Sequence, residues 1–147
     1  MKAKLTAVFA ALLVLAPAAF AGPTGVISAV KIARVVSLPA GEENVTVPVT
    51  LTLINPTDHT ETLQAPNRCA IHIWQVTDST GAIMDDRSMC NMIFMPQTNA
   101  LAPGERQSEE ESITLQTAQF HDGETYTLLY RYWNISAEAK FIVKREQ

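Results

Sequence analysis

From Val26 onward, apolar and polar residues alternate with a period of two, and turn-forming residues interrupt the alternation at short intervals. In "NVTVPVTLTLIN", Val45, Val47, Val49, Leu51 and Leu53 alternate with Thr46, Pro48, Thr50 and Thr52. Successive strand side chains point to opposite faces, so this spacing predicts a strand with one buried face. Pro48 has no N–H for a ladder and predicts an edge or a bulge there. "GVISAVKIARVVSLPAG" predicts a first strand ended by Pro39 and Gly41. "NPTDHT", Asn55 to Thr60, is a turn by composition, after which "ETLQ" resumes as the partner strand.

"CAIHIWQV" and "AIMDD" flank "TDSTG" and predict a hairpin. Asp78 can accept from the backbone within that turn, and Gly81 can take the left-handed conformation. "LAPGE", Leu101 to Glu105, turns the chain into "RQSEEESITLQT", and "YTLLYRYW" and "AEAKFIVKR" read as two closing strands joined around "NISAE". No window has the 3.6-residue period of a helix. About seven short strands with turns between them predict an all-β, antiparallel two-sheet sandwich of immunoglobulin-like type. Phe120, Gly123 and Tyr126 in "FHDGETY" resemble a tyrosine corner, in which a phenol bonds back to nearby backbone.

The first twenty-one residues place Lys2 and Lys4 before an apolar run from Leu5 to Ala16, with Ala19 and Ala21 as small residues around Phe20. This is the pattern of a secretory signal cleaved after Ala21, so the mature chain is expected to be exported to the periplasm or the extracellular space. Residues 22–147 then form one domain of 126 residues. Without Lys2 and Lys4 the chain carries nine basic and fifteen acidic side chains, a formal charge of −6. That balance argues against a nucleic-acid partner, and no later apolar run is long enough to span a bilayer. The acidic excess peaks in "SEEES", Ser108 to Ser112, which reads as a solvated strand edge.

Export makes a disulfide the expected state of Cys69 and Cys90, the two cysteines of the chain. A hairpin closed on Asp78 and Gly81 pairs residues whose numbers sum to 159, which would set Cys69 opposite Cys90. Opposed strand residues have Cα atoms about 4.5 to 5.5 Å apart, inside the span a disulfide accepts. A bulge at Gly81 would shift that register by one residue. Closing the loop of twenty intervening residues would contribute about 3 kcal/mol in the chain-entropy picture.

"RSMCNMIFMP", Arg87 to Pro96, concentrates methionines around Cys90. Thioethers select Cu(I), which makes Met89, Met92 and Met95, with Met84 nearby, an alternative metal-ligand set. Met89 and Met95 share one strand parity and Met92 the other, and methionine is also an ordinary filler of cores, so packing is the simpler reading. No cofactor is expected. No nucleophile elbow, phosphate loop or zinc spacing accompanies the carboxylates of "HDGE" and "MDD", and the chain is expected not to be an enzyme.

The order "VTLTLINPTDHTETL", "IHIWQVTDSTGAIM", "NMIFMPQ" and "LAPGE" resembles the BsuPI-like intracellular proteinase inhibitor family. The residues that carry the resemblance are Asn55 and Thr57, Asp78 and Gly81, Met92 to Gln97, and Leu101 to Glu105, within a stretch from about Val45 to Ile113. It implies an immunoglobulin-like sandwich that binds a protein partner, a proteinase in the family's case. The export signal and the cysteine pair depart from that family. A non-enzymatic sandwich works by presenting loops from a rigid scaffold. The candidate binding loop is Asp85, Asp86, Arg87, Ser88 and Met89, with the turn Asn55 to Thr60 as a second surface. A structural or assembly partner domain is the remaining alternative.

Overall fold

A computed structural model describes residues 25–86 and 94–146. The expected signal segment, Arg87, Ser88, Met89, Cys90 and Met92 lie outside the described residues. Ten strands are described: β1 Ile27–Ile32, β2 Val35–Leu38, β3 Asn44–Ile54, β4 Glu61–Ala65, β5 His72–Asp78, β6 Gly81–Asp85, β7 Gln97–Leu101, β8 Arg106–Gln116, β9 Thr125–Tyr132 and β10 Ile135–Arg145. The described residues contain two short 3-10 turns, Arg68–Ile71 and Thr117–Gln119, and no α-helix. None of their helices is long and apolar enough to cross a membrane.

The strands form a three-stranded sheet ordered β1-β3-β8, a five-stranded sheet ordered β2-β10-β9-β5-β6 and a two-stranded ribbon β4-β7. The alternation in β3 does what its pattern demands. Val47, Val49, Leu51 and Leu53 are buried and share one core with Trp74, Val76, Tyr126, Leu128, Phe141 and Val143 of the five-stranded sheet. Burying each of the larger apolar side chains stabilises the fold by about 1.5–3 kcal/mol relative to exposure. Pro48 falls one residue past the β1 pairing, which stops at Ile32 opposite Val49.

The ten described strands exceed the expected seven or so, and the architecture departs from the expected one at three places. The stretch read as one first strand crosses between sheets at Ala33 and Arg34: β1 pairs with β3, whereas β2 runs parallel to β10. The Arg34 carbonyl accepts from the Ile142 N–H at 2.8 Å where that parallel pairing begins. The sheet is thus not wholly antiparallel. β4 does not return beside β3, because both edges of β3 are already taken by β1 and β8, and it pairs with β7 instead. Finally, "CAIHIWQV" is not strand throughout, since Asn67 Oδ1 accepts from the Ala70 N–H at 2.9 Å and caps a 3-10 turn over Arg68–Ile71.

Two turns fix the ends of this framework. Asp78 Oδ1 accepts from the N–H groups of Thr80 at 2.7 Å and Gly81 at 3.1 Å, and Gly81 has φ 137°, so the β5–β6 turn closes as its composition predicts. Between β9 and β10 the turn falls on Trp133 and Asn134, earlier than "NISAE", and both residues are left-handed with φ 50° and 65°. Such a turn matches the strand twist but is costly for tryptophan. The buried Trp133 ring and the Trp133 N–H bond to the Ile71 carbonyl at 3.0 Å hold it, and place the 3-10 turn against this end of the fold.

Candidate functional site

Of the expected binding loop Asp85 to Met89, Asp85 and Asp86 are among the described residues. Asp85 closes β6 opposite Gln75, and the Asp86 N–H donates to the Trp74 carbonyl at 2.9 Å. On the return, the Met95 N–H donates to the Pro66 carbonyl at 3.1 Å. Pro66 and Trp74 bracket Arg68–Ile71, so the segment from Asp86 to Met95 is tied at both ends to one short stretch of chain. Phe94 and Met95 are 68% and 62% exposed, the most exposed large apolar side chains among the described residues. Met84 packs against the core instead, so these two methionines occupy unlike surroundings.

The β5–β6 register differs from the expected one beyond the turn. The ladder closes on Asp78 opposite Gly81 and Thr77 opposite Ala82, but a bulge between Val76 and Thr77 shifts it, so that Val76 opposes Met84 and Gln75 opposes Asp85. Cys69 lies in the 3-10 turn before β5, outside the β5–β6 ladder. A pairing of Cys69 with Cys90 cannot be derived from strand register, and Cys90 lies outside the described residues.

A second constellation arises where the two sheets face each other at the β8 edge. Glu109 and Glu111 oppose Leu51 and Val49 in the β3–β8 ladder and share strand parity with the buried Ile113 and Leu115. "SEEES" is a solvated edge at Ser108, Glu109, Glu110 and Ser112, with Glu111 half-buried; the Glu110 carboxylate accepts from the Thr50 hydroxyl at 2.8 Å, and Glu109 and Glu111 share the strand face of Ile113 and Leu115. Across from them stand His72 of β5 and Tyr130 and Tyr132 of β9. The Tyr132 phenol donates to Glu109 Oε2 at 2.5 Å, and the Tyr130 phenol lies 3.3 Å from His72 Nδ1. The His72 ring stacks on Tyr132 at 5.1 Å and meets Tyr130 edge-on at 6.3 Å.

Burial pushes both phenols well above the ordinary tyrosine range. The Glu111, Asp86 and Glu109 charges add to this at Tyr130, and the Glu109 hydrogen bond and charge add to it at Tyr132. Both side chains therefore stay un-ionised at physiological pH. One ligand atom each from His72, Glu109 and Glu111 lies within 4.8 Å of the others. The local sequence does not mark this group, because the carboxylates sit in a run that reads as a solvated strand edge and no acidic residue stands close to His72 in the chain. The signal was nonetheless present: 109 and 111 carry the parity of Ile113 and Leu115, and His72 that of Trp74 and Val76.

No family model matches the chain, and no curated protein matches it. Among solved structures, a β-glucosidase from Listeria innocua in complex with glucose is similar at 11% identity and TM-score 0.44, over 81% of this chain and 16% of that one. A β-glucosidase from Erythrobacter marinus is similar at 13% identity and TM-score 0.43, over 81% of this chain and 15% of that one. The chain spans about a sixth of the length of these structures.

Proposed function

We propose that this chain is an exported, non-enzymatic binding module of immunoglobulin-like sandwich type, which engages a protein partner of proteinase class through the segment from Asp86 to Met95. The observation that carries this reading is the double attachment of that segment, Asp86 to Trp74 and Met95 to Pro66. A segment held at both ends loses less conformational freedom on binding than a free one, and exposed Phe94 and Met95 supply apolar anchors at its end. A Cys69–Cys90 disulfide would brace the same segment from the 3-10 turn between its two attachment points. The resemblance to the BsuPI-like inhibitors gains support from how its motif residues meet. Fully buried Asn55 donates to the carbonyls of Leu101 at 3.0 Å and Ala102 at 3.1 Å, so two of the segments that carry the resemblance are docked together.

The test is capture from a secreted or periplasmic fraction on immobilised residues 22–147, with the protein oxidised, reduced, or carrying Phe94→Asp. The reading expects a proteinase to be enriched on the oxidised wild type and depleted on the other two. An identical set of captured proteins on all three would overturn it.

A further inference from the structure

We propose that His72, Glu109 and Glu111 form a divalent-cation site that pins the open edge of the three-stranded sheet to the five-stranded sheet. Glu109 and Glu111 occur two residues apart on one face of β8, so their charges are neighbours on the side that otherwise faces the core. Neither forms an ion pair with a lysine or arginine among the described residues, where the ion pairs are those of His59 with Asp58 and Glu61. Glu109 receives one hydrogen bond, from Tyr132. Half-buried Glu111 receives none among the described residues. Two adjacent carboxylates without a counter-charge repel each other, and a cation between them turns that repulsion into attraction.

The third ligand is held in the manner of a metal-binding histidine. Tyr132 stacks on the ring and the Tyr130 oxygen lies at Nδ1, where it can accept the Nδ1–H, so that the orientation is held and Nε2 is the ligating nitrogen in the proposed site. One imidazole nitrogen and two carboxylate oxygens suit Zn²⁺ or Mn²⁺ better than Ca²⁺ or Mg²⁺, which take all-oxygen shells. Ligand atoms on a tetrahedral zinc sit about 3.4 Å apart. The present separations, within 4.8 Å, therefore need only a small inward rotation of the two glutamates. β8 has a hydrogen-bonded partner only on its β3 side, whereas His72 belongs to the other sheet, so the ion would join two elements that no ladder joins. The competing explanation is that inward-facing charges simply protect an exposed strand edge from pairing with other chains. That explanation requires no ion.

The experiment is calorimetric titration and thermal melting of chelator-treated residues 22–147, with Zn²⁺, Mn²⁺, Ca²⁺ and Mg²⁺ added separately. One Zn²⁺ or Mn²⁺ per chain, with a rise of several degrees in Tm, is expected. Glu111→Gln should remove this binding while leaving the metal-free protein at least as stable as the wild type, because it relieves the carboxylate repulsion. Tyr130→Phe, which frees the His72 ring, should weaken binding by about tenfold. His59→Gln should bind as the wild type does, which separates the site from the exposed His59, Asp58 and Glu61 group. Absence of a one-to-one complex with Zn²⁺ and Mn²⁺, or binding unchanged in Glu111→Gln, would overturn the proposal in favour of edge protection.

Discussion

The Tyr132 phenol reaches across from the five-stranded sheet and donates to Glu109 of the three-stranded sheet at 2.5 Å. The bond spans the gap between sheets at the one edge where the apolar core gives way to carboxylates. Tyr132→Phe keeps the ring and deletes this donor, and should lower stability by about 1 kcal/mol without changing the fold. Denaturant midpoints of the two proteins measure it; coincident midpoints would show that the bond contributes nothing.

Asn55 is the most heavily bonded polar side chain of the core end. Its amide donates to three carbonyls, those of His59, Leu101 and Ala102, and its Oδ1 accepts from the Thr57 N–H and hydroxyl. Asn55→Ala leaves several of these groups buried and unpaired, and a loss of about 3 kcal/mol is expected. Asn55→Asp is isosteric yet turns the donors into acceptors facing carbonyls, so it should fail as badly. A melting temperature of Asn55→Asp near wild type would refute the role of the donors.

All three tyrosines, Tyr126, Tyr130 and Tyr132, have phenols raised above the ordinary value of 10.0, with burial as the first cause in each. A raised folded value means that the unfolded chain ionises first. The associated stability is thus complete below about pH 10 and declines as pH rises beyond it. Absorbance at 295 nm should stay flat through the range where free tyrosine titrates, then climb in one step together with loss of the circular dichroism signal. A gradual titration centred near pH 10 in folded protein would contradict the burial.

If Cys69 and Cys90 are joined, the oxidised protein has no thiol reactive to a colorimetric reagent under denaturing conditions. Reduction should then cost about 3 kcal/mol, since the bond closes a loop of twenty residues. Two titratable thiols per unreduced chain would remove the brace from the account.

The strands of this fold were legible wherever alternation and turn chemistry agreed. Val47 to Leu53 bury one face, Asp78 and Gly81 close their hairpin, and the Tyr126 phenol accepts from the His121 N–H at 2.8 Å as a tyrosine corner should. What local pattern does not encode is which strand pairs with which. Val35 and Val36 read as a continuation of β1 because nothing in their composition records a crossing to the other sheet. Cys69 read as strand because its apolar neighbours Ala70 and Ile71 hid the capping power of Asn67. The His72 group is illegible for a related reason: its members lie on β5 and β8, far apart in sequence and in different sheets, and only the facing of the two sheets brings them together.

Proteinase binding by the segment ending in Phe94 and Met95 is the proposed function. The most direct measurement is inhibition of a panel of secreted serine, cysteine and metalloproteinases by oxidised residues 22–147, beside Phe94→Asp as the matched control. The account predicts saturable inhibition of at least one enzyme by the wild type, weakened at least tenfold by Phe94→Asp. No inhibition across the panel, or equal inhibition by both proteins, would contradict it.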